Sequence, residues 1–272
     1  MKEKTSEKSI APVYNKEYLV VQANEIIRAE QDDLTLLEAK LLRFAIIQIL
    51  QNDTDFKTFS IEITKLAKFL KMPKGNIYRE VMKLSKSLVK KSITLQSEGK
   101  EKEKPNYVVF QWVSECRYKD GIITIRLHDN LKPYLLGLNE LFTSYQYAEL
   151  LELPTYYAIR LFELLASYQN IQFRNYKSSD NIIPRAENEV AFTIEQLRKY
   201  FQCENKYEKQ ANFIKRVIDK SVEAINEKTI LRVSYRPITA ERGFITHLVF
   251  KIGTIADGRQ LPEKEQQREN PQ

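Results

Sequence analysis

Long polar side chains recur along one stretch of the chain at a spacing that places them on one side of a helix. Lys209, Asn212, Arg216 and Lys220 follow one another at intervals of three or four residues. Lysine and arginine donate hydrogen bonds to phosphate, and arginine and asparagine also pair with base edges in the major groove. The pattern therefore suits a DNA groove, but taken alone it is more typical of a solvated helix with scattered charges.

The composition is compatible with a polyanionic partner and argues against most classes of enzyme. The chain has 272 residues and a formal net charge of +7, which favours nucleic acid or an anionic membrane surface as a partner. Neither of its two histidines, His128 and His247, has a second histidine or a cysteine at ligand spacing, so we expect no zinc site. The GxxxxGK motif of phosphate-binding loops is missing from the sequence. We predict no catalytic activity, no metal and no cofactor.

The ends and the apolar runs of the sequence indicate a cytoplasmic protein. The first ten residues lack the apolar segment of a signal peptide, and the apolar run at residues 41–50 is too short to span a bilayer. Cys116 and Cys203 are predicted to be unpaired thiols, as expected in a reducing compartment. We therefore expect no membrane association.

The basic positions lie on a predicted amphipathic helix at residues 205–228. Asn205 followed by Glu208 has the form of a capped helix start. The opposite face carries apolar residues at helical spacing, which predicts that it packs against a core. This stripe consists of Ala211, Ile214, Ile218 and Ile225.

A second feature is that the order strand, helix, turn, helix, strand, strand occurs twice. Residues 59–62 (FSIE) resemble residues 192–195 (FTIE), and residues 66–70 resemble residues 197–201. After a turn, the apolar positions of residues 77–93 match those of residues 214–230. In the first copy the later strands are predicted at residues 92–96, 107–118 and 122–127. This order is that of a winged helix, so the predicted fold is α+β, with two tandem winged-helix domains related by internal duplication.

The repeat and the polar segments suggest domain limits. We predict a disordered N-terminus at residues 1–14, a first winged-helix domain at 15–138, a second at 139–254 and a flexible tail at 255–272. A strong helix at residues 34–51 begins with a capping box of Thr35 and Glu38. Its apolar stripe, which includes Leu50, is wide enough for a core or for a subunit interface.

The second domain is predicted to read DNA sequence, and the first to add phosphate contacts, to dimerise or to do both. The exposed cations of the first domain are mostly lysines, which suit phosphate more than bases, and a solvated basic face is the alternative. The first-domain candidates are Lys74, Arg79, Lys83 and Lys86. The second-domain candidates are Lys206, Lys209, Gln210, Asn212, Lys215, Arg216 and Lys220, with Arg236 and Arg242 flanking a wing at residues 237–243.

Aromatic residues in the first domain have a structural interpretation. The alternation of Val108, Phe110 and Trp112 indicates a buried strand face, and Tyr107 and Tyr118 are assigned to the same core. Stacking on single-stranded bases is the alternative role for such residues.

Three stretches resemble the iteron-binding plasmid replication initiators, the Rep proteins with two winged-helix domains. Residues 34–42 (LTLLEAKLL) resemble their first long helix. Phe142-Thr143-x-Tyr145 with residues 157–165 (YAIRLFELL) resembles the start of their second domain. Residues 213–218 (FIKRVI) with 224–229 (AINEKT) resemble their principal recognition helix. The similarity runs from about Asn15 to Gly253.

This resemblance implies a function that the composition does not. Such a protein binds direct repeats (iterons) in double-stranded DNA at a plasmid origin, opens adjacent AT-rich DNA and recruits the host initiator, helicase and loader. It also implies homodimers, formed through the first domain, that repress the initiator's own gene and are in equilibrium with monomers. By this likeness the helix at 34–51 and the strands at 107–127 are candidates for the dimer surface.

Three other functions remain open at this point. A transcriptional regulator of the same fold would bind an inverted repeat as a dimer, without opening DNA. A structural or partition-type interaction protein would use the winged helices for assembly. A rolling-circle nickase is disfavoured because the His-x-His metal pair that serves its tyrosine nucleophile is missing.

Overall fold

The computed structural model describes residues 18–50, 52–70, 77–97, 106–169, 188–240 and 243–255. The helices are α1 (Asn24–Arg28), α2 (Leu36–Ile46), α3 (Ile63–Phe69), α4 (Ile77–Leu88), α5 (Lys132–Leu135), α6 (Tyr147–Glu152), α7 (Tyr156–Gln169), α8 (Ile194–Tyr200), α9 (Gln210–Phe213) and α10 (Lys220–Lys228). A 3-10 turn at Asp129–Leu131 precedes α5, and a π-helical segment at Ile214–Asp219 joins α9 to α10.

The strands form four small antiparallel sheets. They are β1 (Leu19–Ala23), β2 (Glu30–Gln31), β3 (Phe59–Glu62), β4 (Ser92–Ser97), β5 (Asn106–Gln111), β6 (Val113–Lys119), β7 (Ile122–Leu127), β8 (Phe142–Gln146), β9 (Glu189–Thr193), β10 (Leu231–Thr239) and β11 (Ile245–Thr254). The strand orders are β1-β8, β2-β4-β5, β6-β7-β3 and β10-β11-β9.

Two units of the chain share one topology. The first winged helix consists of β3, α3, α4, β6 and β7, and the second consists of β9, α8, the helix from α9 to α10, β10 and β11. Their sheets have equivalent strand orders, β6-β7-β3 and β10-β11-β9. In both units the first helix begins with isoleucine, Ile63 or Ile194, and buries a leucine three residues later, Leu66 or Leu197. The predicted fold class, two winged helices related by duplication, is confirmed.

The strands of the two winged helices align with each other differently from the prediction. Because α3 begins at Ile63 and α8 at Ile194, residues 59–62 correspond to residues 190–193 and not to 192–195. The strand after α4 is also different. β4 pairs with β2 and β5, so the β4–β5 hairpin is an insertion, and the hairpin equivalent to β10–β11 is β6–β7.

Trp112 divides the strand that was predicted for residues 107–118. The side chain of Trp112 is fully buried. Its backbone N–H donates to the carbonyl of Lys91 at 3.1 Å, and its backbone carbonyl accepts from the N–H of His128 at 3.0 Å. The chain before Trp112 is β5, which pairs with β4, and the chain after it is β6, which pairs with β7. One apparent strand therefore serves two sheets.

The predicted core assignment of the aromatic residues is only partly right. Phe110 is buried, like Trp112, but Tyr107 is 72% exposed, and Val108 and Tyr118 are also exposed. β5 is an edge strand of its sheet, and its first four residues extend beyond the core, so alternation does not bury them.

Helix α2 is a core helix. The predicted capping box is present: Thr35 Oγ1 accepts from the N–H of Glu38 at 3.2 Å, and Glu38 Oε2 accepts from the N–H of Thr35 at 2.7 Å. The helix ends at Ile46, however, and Leu50 is 63% exposed. Every side chain from Glu38 to Ile46 is buried within the chain. The prediction that this helix offers a dimer surface is therefore wrong for this structure.

The predicted domain boundary between residues 138 and 139 falls inside a continuous unit. β1 pairs with β8 over five positions, from Leu19 opposite Gln146 to Ala23 opposite Phe142. Helix α7 contacts α1 and α2 of the first half, and it also packs against α10 of the second. The predicted N-terminal segment at 1–14, and the predicted tail apart from Ile255, lie outside the described residues. In the part of the chain that the structure describes, no helix is long and apolar enough to cross a membrane.

Candidate nucleic-acid interface

The second helix of the second winged helix begins later than predicted. Helix α9 starts at Gln210, with Lys209 at its N-cap position. Tyr207 has a φ of 56°, in the left-handed region, which interrupts helical backbone. The capped start predicted at Asn205 is therefore wrong, and Lys206 lies in the turn between the two helices.

A π-helical segment changes which side chains this helix buries. In a π-helix each turn holds more residues than in an α-helix, so the apolar face is displaced along Ile214–Asp219. Phe213, Val217 and Ile218 are fully buried, whereas Ala211, which the pattern assigned to the buried stripe, is exposed. Such segments are frequent at functional sites.

Side-chain hydrogen bonds fix this helix to the hairpin of the wing. At the start of the helix, Gln210 Nε2 donates to the carbonyl of Ile245 at 2.6 Å. In the middle, the Tyr235 hydroxyl donates to Asp219 Oδ1 at 2.5 Å. The amide nitrogen of Gln210, predicted to contact DNA, is thus bound to β11 in this structure.

Asn226, in the AINEKT stretch, fixes the end of the same helix. Its amide donates to the carbonyl of Val233 at 2.8 Å and accepts from the N–H of Val233 at 2.7 Å. Thr229 then accepts from the N–H of Leu231 at 3.1 Å, where β10 begins. These bonds set the orientation of α10 relative to the sheet.

Arg198 holds the turn between the two helices, a role that the sequence pattern did not reveal. Its guanidinium donates to the carbonyls of Lys206 at 2.8 Å, Tyr207 at 2.7 Å and Cys203 at 3.4 Å. It also lies 4.7 Å above the ring centre of Phe213. One arginine therefore links the turn to the following helix. In the sequence it is one more cation on a helix, which spacing does not distinguish from a solvated residue.

Five of the predicted contact residues line a single open groove of about 740 Å³, hereafter the basic groove. All five side chains are exposed. These residues are Lys206, Asn212, Lys215, Arg216 and Lys220. The groove therefore presents four cations and one amide on and beside the second helix of a helix-turn-helix, the element that enters the major groove in such folds.

The other residues of the basic groove come largely from distant parts of the sequence. Thr155, Tyr156 and Tyr157 lie at the start of α7, and Asp33 precedes α2. Tyr207 completes the lining from the turn. The spacing of residues in the sequence did not indicate these side chains, because it predicts a site on one helix and its wing.

One ion pair crosses the basic groove. Lys206 Nζ lies 2.5 Å from Asp33 Oδ2, and both side chains are about half exposed. The hydrogen bond with Asp33 raises the pKa of Lys206 above its ordinary value, so the amine stays charged at neutral pH. Lys206 is therefore engaged with the first half of the chain.

The cysteine beside the basic groove is held in its neutral form. Burial raises the pKa of Cys203, in the adjacent turn, to about 11, so this thiol is neutral at physiological pH. Among the described residues, no group of three or more histidine, cysteine or acidic side chains is arranged to hold a metal ion.

The other predicted contacts of the second winged helix lie outside the basic groove. Lys209 is exposed at the start of α9. Arg236 lies within β10, since that strand continues to Thr239, and its guanidinium donates to Glu189 Oε2 at 3.1 Å. Arg242 lies outside the described residues.

The first winged helix has a separate basic face on α4. Arg79, Lys83 and Lys86 are exposed, while Val81, Leu84 and Leu88 face the core. Glu80 lies 3.8 Å from Arg79 Nε and 3.2 Å from Lys83 Nζ, so part of the positive charge is neutralised. Lys74 lies outside the described residues.

Two protein-family models match this chain. The family model described as Initiator Replication protein, WH1 matches residues 19–166, and the model described as Initiator Rep protein, WH2 matches residues 193–252. The first match includes β8, α6 and most of α7, in agreement with the pairing of β1 and β8.

One solved structure shares the fold at low sequence identity, and two others match with lower TM-scores. The Pi initiator protein, solved in complex with iteron DNA, has a TM-score of 0.68 at 18% identity, over 88% of this chain and 98% of that chain. Domains 2 and 3 of RctB match 90% of this chain and 94% of their own at 10% identity and a TM-score of 0.43. The WH1 domain of MSBI1.176, a replication protein isolated from a multiple sclerosis patient, matches 37% of this chain and 79% of its own, with 20% identity and a TM-score of 0.29.

Proposed function

Because the chain belongs to the initiator replication protein family, we propose that it binds directly repeated sites in double-stranded DNA at a plasmid origin. The observation that carries this proposal is the basic groove, which presents Lys206, Asn212, Lys215, Arg216 and Lys220 on the second helix of a helix-turn-helix and its preceding turn. The solved relative, Pi, is in complex with iteron DNA, which supports the same class of site here.

Within the basic groove, side chains divide between base reading and backbone contact. Arg216 has the planar guanidinium that pairs with guanine, and Asn212 has the amide that pairs with adenine. Lys206, Lys215 and Lys220 are suited to phosphate, which adds affinity without sequence information. Asn212 and Arg216, in the first half of the helix, are the proposed specificity contacts.

The basic face of the first winged helix supplies further phosphate contacts in this proposal. Arg79, Lys83 and Lys86 project from α4, and a second set of phosphate contacts would hold both winged helices on one duplex. With both halves bound, the protein opens the AT-rich DNA beside the repeats and recruits the host initiator, helicase and loader. It does so without catalytic activity of its own.

As a dimer, the protein represses its own gene, and the proposed dimer surface is β5. This strand is at the edge of its sheet, with Tyr107, Val108 and Val109 exposed on it. An exposed apolar edge strand is able to pair with the same strand of a second copy. Replacing Val109 with lysine should shift sedimentation-velocity profiles from dimer to monomer, because it places a charge on the exposed edge strand. Unchanged dimerisation in the Val109 variant would exclude β5.

The test of origin binding is footprinting on supercoiled plasmid DNA that contains the region around the protein's own gene. We expect protection of tandem sites about 20 base pairs apart, which is about two helical turns, with unpaired thymines in an adjacent AT-rich tract. Protection of one short palindrome, without unpaired bases, would instead identify a transcriptional regulator.

Two other results would overturn the proposal. If no duplex binds at low salt, where phosphate contacts are strongest, the winged helices serve assembly instead of DNA binding. If a tyrosine becomes covalently linked to DNA, the protein is a nickase and the non-catalytic assignment fails.

A further inference from the structure

Asp33 is the one carboxylate among the described residues that line the basic groove. All the other charged residues of the lining are cations: Lys206, Lys215, Arg216 and Lys220. A carboxylate is unfavourable next to DNA phosphates, so its position beside four cations requires an explanation. Its contact with Lys206, at 2.5 Å, supplies one.

Both members of this pair are held in place by other contacts. On the Asp33 side, the carboxylate of Asp32 accepts from the N–H of Ser92 at 2.7 Å and from its hydroxyl at 2.9 Å, and Lys91 Nζ donates to the carbonyl of Asp33 at 2.6 Å. On the other side, Arg198 donates to the carbonyl of Lys206. The pair is therefore preformed between two ordered turns.

A second ion pair between the same segments lies outside the basic groove. Lys199 Nζ on α8 is 2.5 Å from Glu30 Oε1 on β2, with exposures of 48% and 29%, compared with 48% and 49% for Lys206 and Asp33. The two pairs have the same length and equally exposed lysines, and they join the same parts of the chain. The Glu30 carboxylate is the less exposed of the two and also accepts from Gln96 Nε2 at 2.9 Å. Because Glu30 does not line the groove, its pair is the control for the Lys206–Asp33 pair.

We propose that Asp33 is an internal competitor of the DNA backbone, which occupies Lys206 in the free protein and is displaced by a phosphate when a duplex binds. In the free protein the groove then has three uncompensated cations instead of four. Binding must break the Lys206–Asp33 pair and bring phosphate close to the released carboxylate, so affinity for every duplex is limited. This inference rests on the proposed DNA-binding function.

The test compares Asp33→Asn with Glu30→Gln in the full chain. Fluorescence anisotropy would measure affinity for a duplex that contains the footprinted site and for an unrelated duplex of equal length. We expect Asp33→Asn to bind both duplexes about twofold to fivefold more tightly, the range that an exposed ion pair supports. The gain should shrink as salt rises, because screening weakens exposed charges. Glu30→Gln should bind like the native protein.

A third variant links the effect to Lys206. Lys206→Met should weaken binding, and adding Asp33→Asn to it should restore less affinity than the same change gives in the native protein, because no pair remains to be broken. Thermal denaturation would confirm that all variants are folded.

Three results contradict the proposal in distinguishable ways. Unchanged or weaker binding by Asp33→Asn, with normal binding by the native protein, excludes competition by Asp33. If Glu30→Gln raises the affinity for DNA by the same factor, the gain in affinity comes from weaker contacts between the two halves of the chain. If the native protein binds neither duplex, the proposed function itself fails.

Discussion

Arg43 on α2 and Glu163 on α7 form a bidentate ion pair from which solvent is excluded. Arg43 Nε lies 2.9 Å from Glu163 Oε1 and Nη2 lies 2.7 Å from Oε2, and both side chains are 0% exposed. The Tyr145 hydroxyl also donates to Glu163, and Gln22 Nε2 lies 3.4 Å from the same oxygen. The pair joins the core helix of the first half to the β1–β8 sheet and to α7, which also lines the basic groove.

Removing one partner of this pair should strongly destabilise the protein. Arg43→Ala leaves the carboxylate of Glu163 buried without its main partner, and we expect the free energy of unfolding to fall by about 3 to 5 kcal/mol. The double variant Arg43→Met with Glu163→Leu should be destabilised less than Arg43→Ala, because the Glu163 carboxylate is removed together with its partner. Buried Arg160, whose Nη1 lies 3.9 Å from Glu163 Oε2, keeps its hydrogen bonds to the carbonyls of Ile27 and Ala29 in this variant. Urea denaturation measures all three proteins.

An exposed ion pair provides the control for that experiment. Lys65 Nζ lies 2.9 Å from Glu62 Oε1, and both side chains are nearly half exposed. Lys65→Met should change the free energy of unfolding by less than about 1 kcal/mol. If Arg43→Ala has an effect as small as this, the buried pair does not organise the core.

The same ion pair should make the fold sensitive to acid. Burial by itself raises the pKa of the Glu163 carboxyl, but the charge and hydrogen bonds of Arg43 outweigh it and leave the pKa below its ordinary value. A carboxyl with a lowered pKa in the folded state stabilises the fold above its unfolded pKa of about 4.3, and this contribution disappears as the pH falls through the folded pKa. The free energy of unfolding should therefore fall more steeply below about pH 5 in the native protein than in the double variant.

Other carboxyl groups do not obscure this comparison. The pKa of Asp53 is lowered by a hydrogen bond from Lys57, and those of Asp55 and Asp129 by hydrogen bonds from Lys132. These interactions are present in both proteins, so the difference between the two pH curves reports the buried pair. Parallel curves would show that Glu163 does not contribute to the acid sensitivity.

Local patterns in the sequence predicted the elements whose causes are local. The capping box of Thr35 and Glu38 correctly indicated where α2 begins, because both groups lie within one turn of helix. The matching leucines Leu66 and Leu197 correctly indicated the duplicated helix, because helical period determines which residues face the core.

The errors arose where distant contacts decide the local structure. The start of α9 depends on the left-handed conformation of Tyr207, whose carbonyl is held by Arg198 nine residues earlier in the sequence. The division of one predicted strand at Trp112 depends on pairing with β4 before it and with β7 after it. The sequence predicted both partner strands, but periodicity does not show which strands pair. The same limit applies to the site: Asp33 and Tyr157 line the same groove as Arg216 only because α7 packs against both halves of the chain.

Arg198 is expected to support DNA binding by holding the turn, without touching DNA. Arg198→Ala removes the donors to the carbonyls of Lys206, Tyr207 and Cys203, so the turn should open more often. Hydrogen exchange of the amides at residues 203–209 should accelerate, and DNA affinity should fall by about tenfold, or about 1.4 kcal/mol.

The neighbouring Lys199→Ala is the control for this variant, because Lys199 is also a cation on α8 but its amine pairs with Glu30 on β2. It should leave the exchange of residues 203–209 unchanged. Normal exchange in Arg198→Ala together with reduced affinity would show that Arg198 contacts DNA directly.

Changes in the second winged helix should alter base preference, whereas changes in the first should weaken contact with phosphate. Arg216→Ala and Asn212→Ala should each weaken binding to the cognate repeat by about 1 to 3 kcal/mol and relax preference at one base position, while binding to unrelated DNA changes less. Lys83→Ala with Lys86→Ala should weaken both kinds of binding equally. The slope of log affinity against log salt should become shallower by about 0.9 for each phosphate that the protein no longer neutralises. Binding measurements on a panel of single-base variants of the repeat at several salt concentrations distinguish these effects.

Lys215→Ala is the matched control in the basic groove, since Lys215 is an exposed cation beside Arg216 but lacks a guanidinium. It should lower affinity and the salt slope without altering base preference, because an ammonium contacts phosphate as a point charge. The opposite distribution, with sequence preference intact in Arg216→Ala and Asn212→Ala but abolished by the α4 lysine changes, would assign base reading to the first winged helix. In that case α4, whose exposed Arg79 is the planar donor on its basic face, would be the recognition helix.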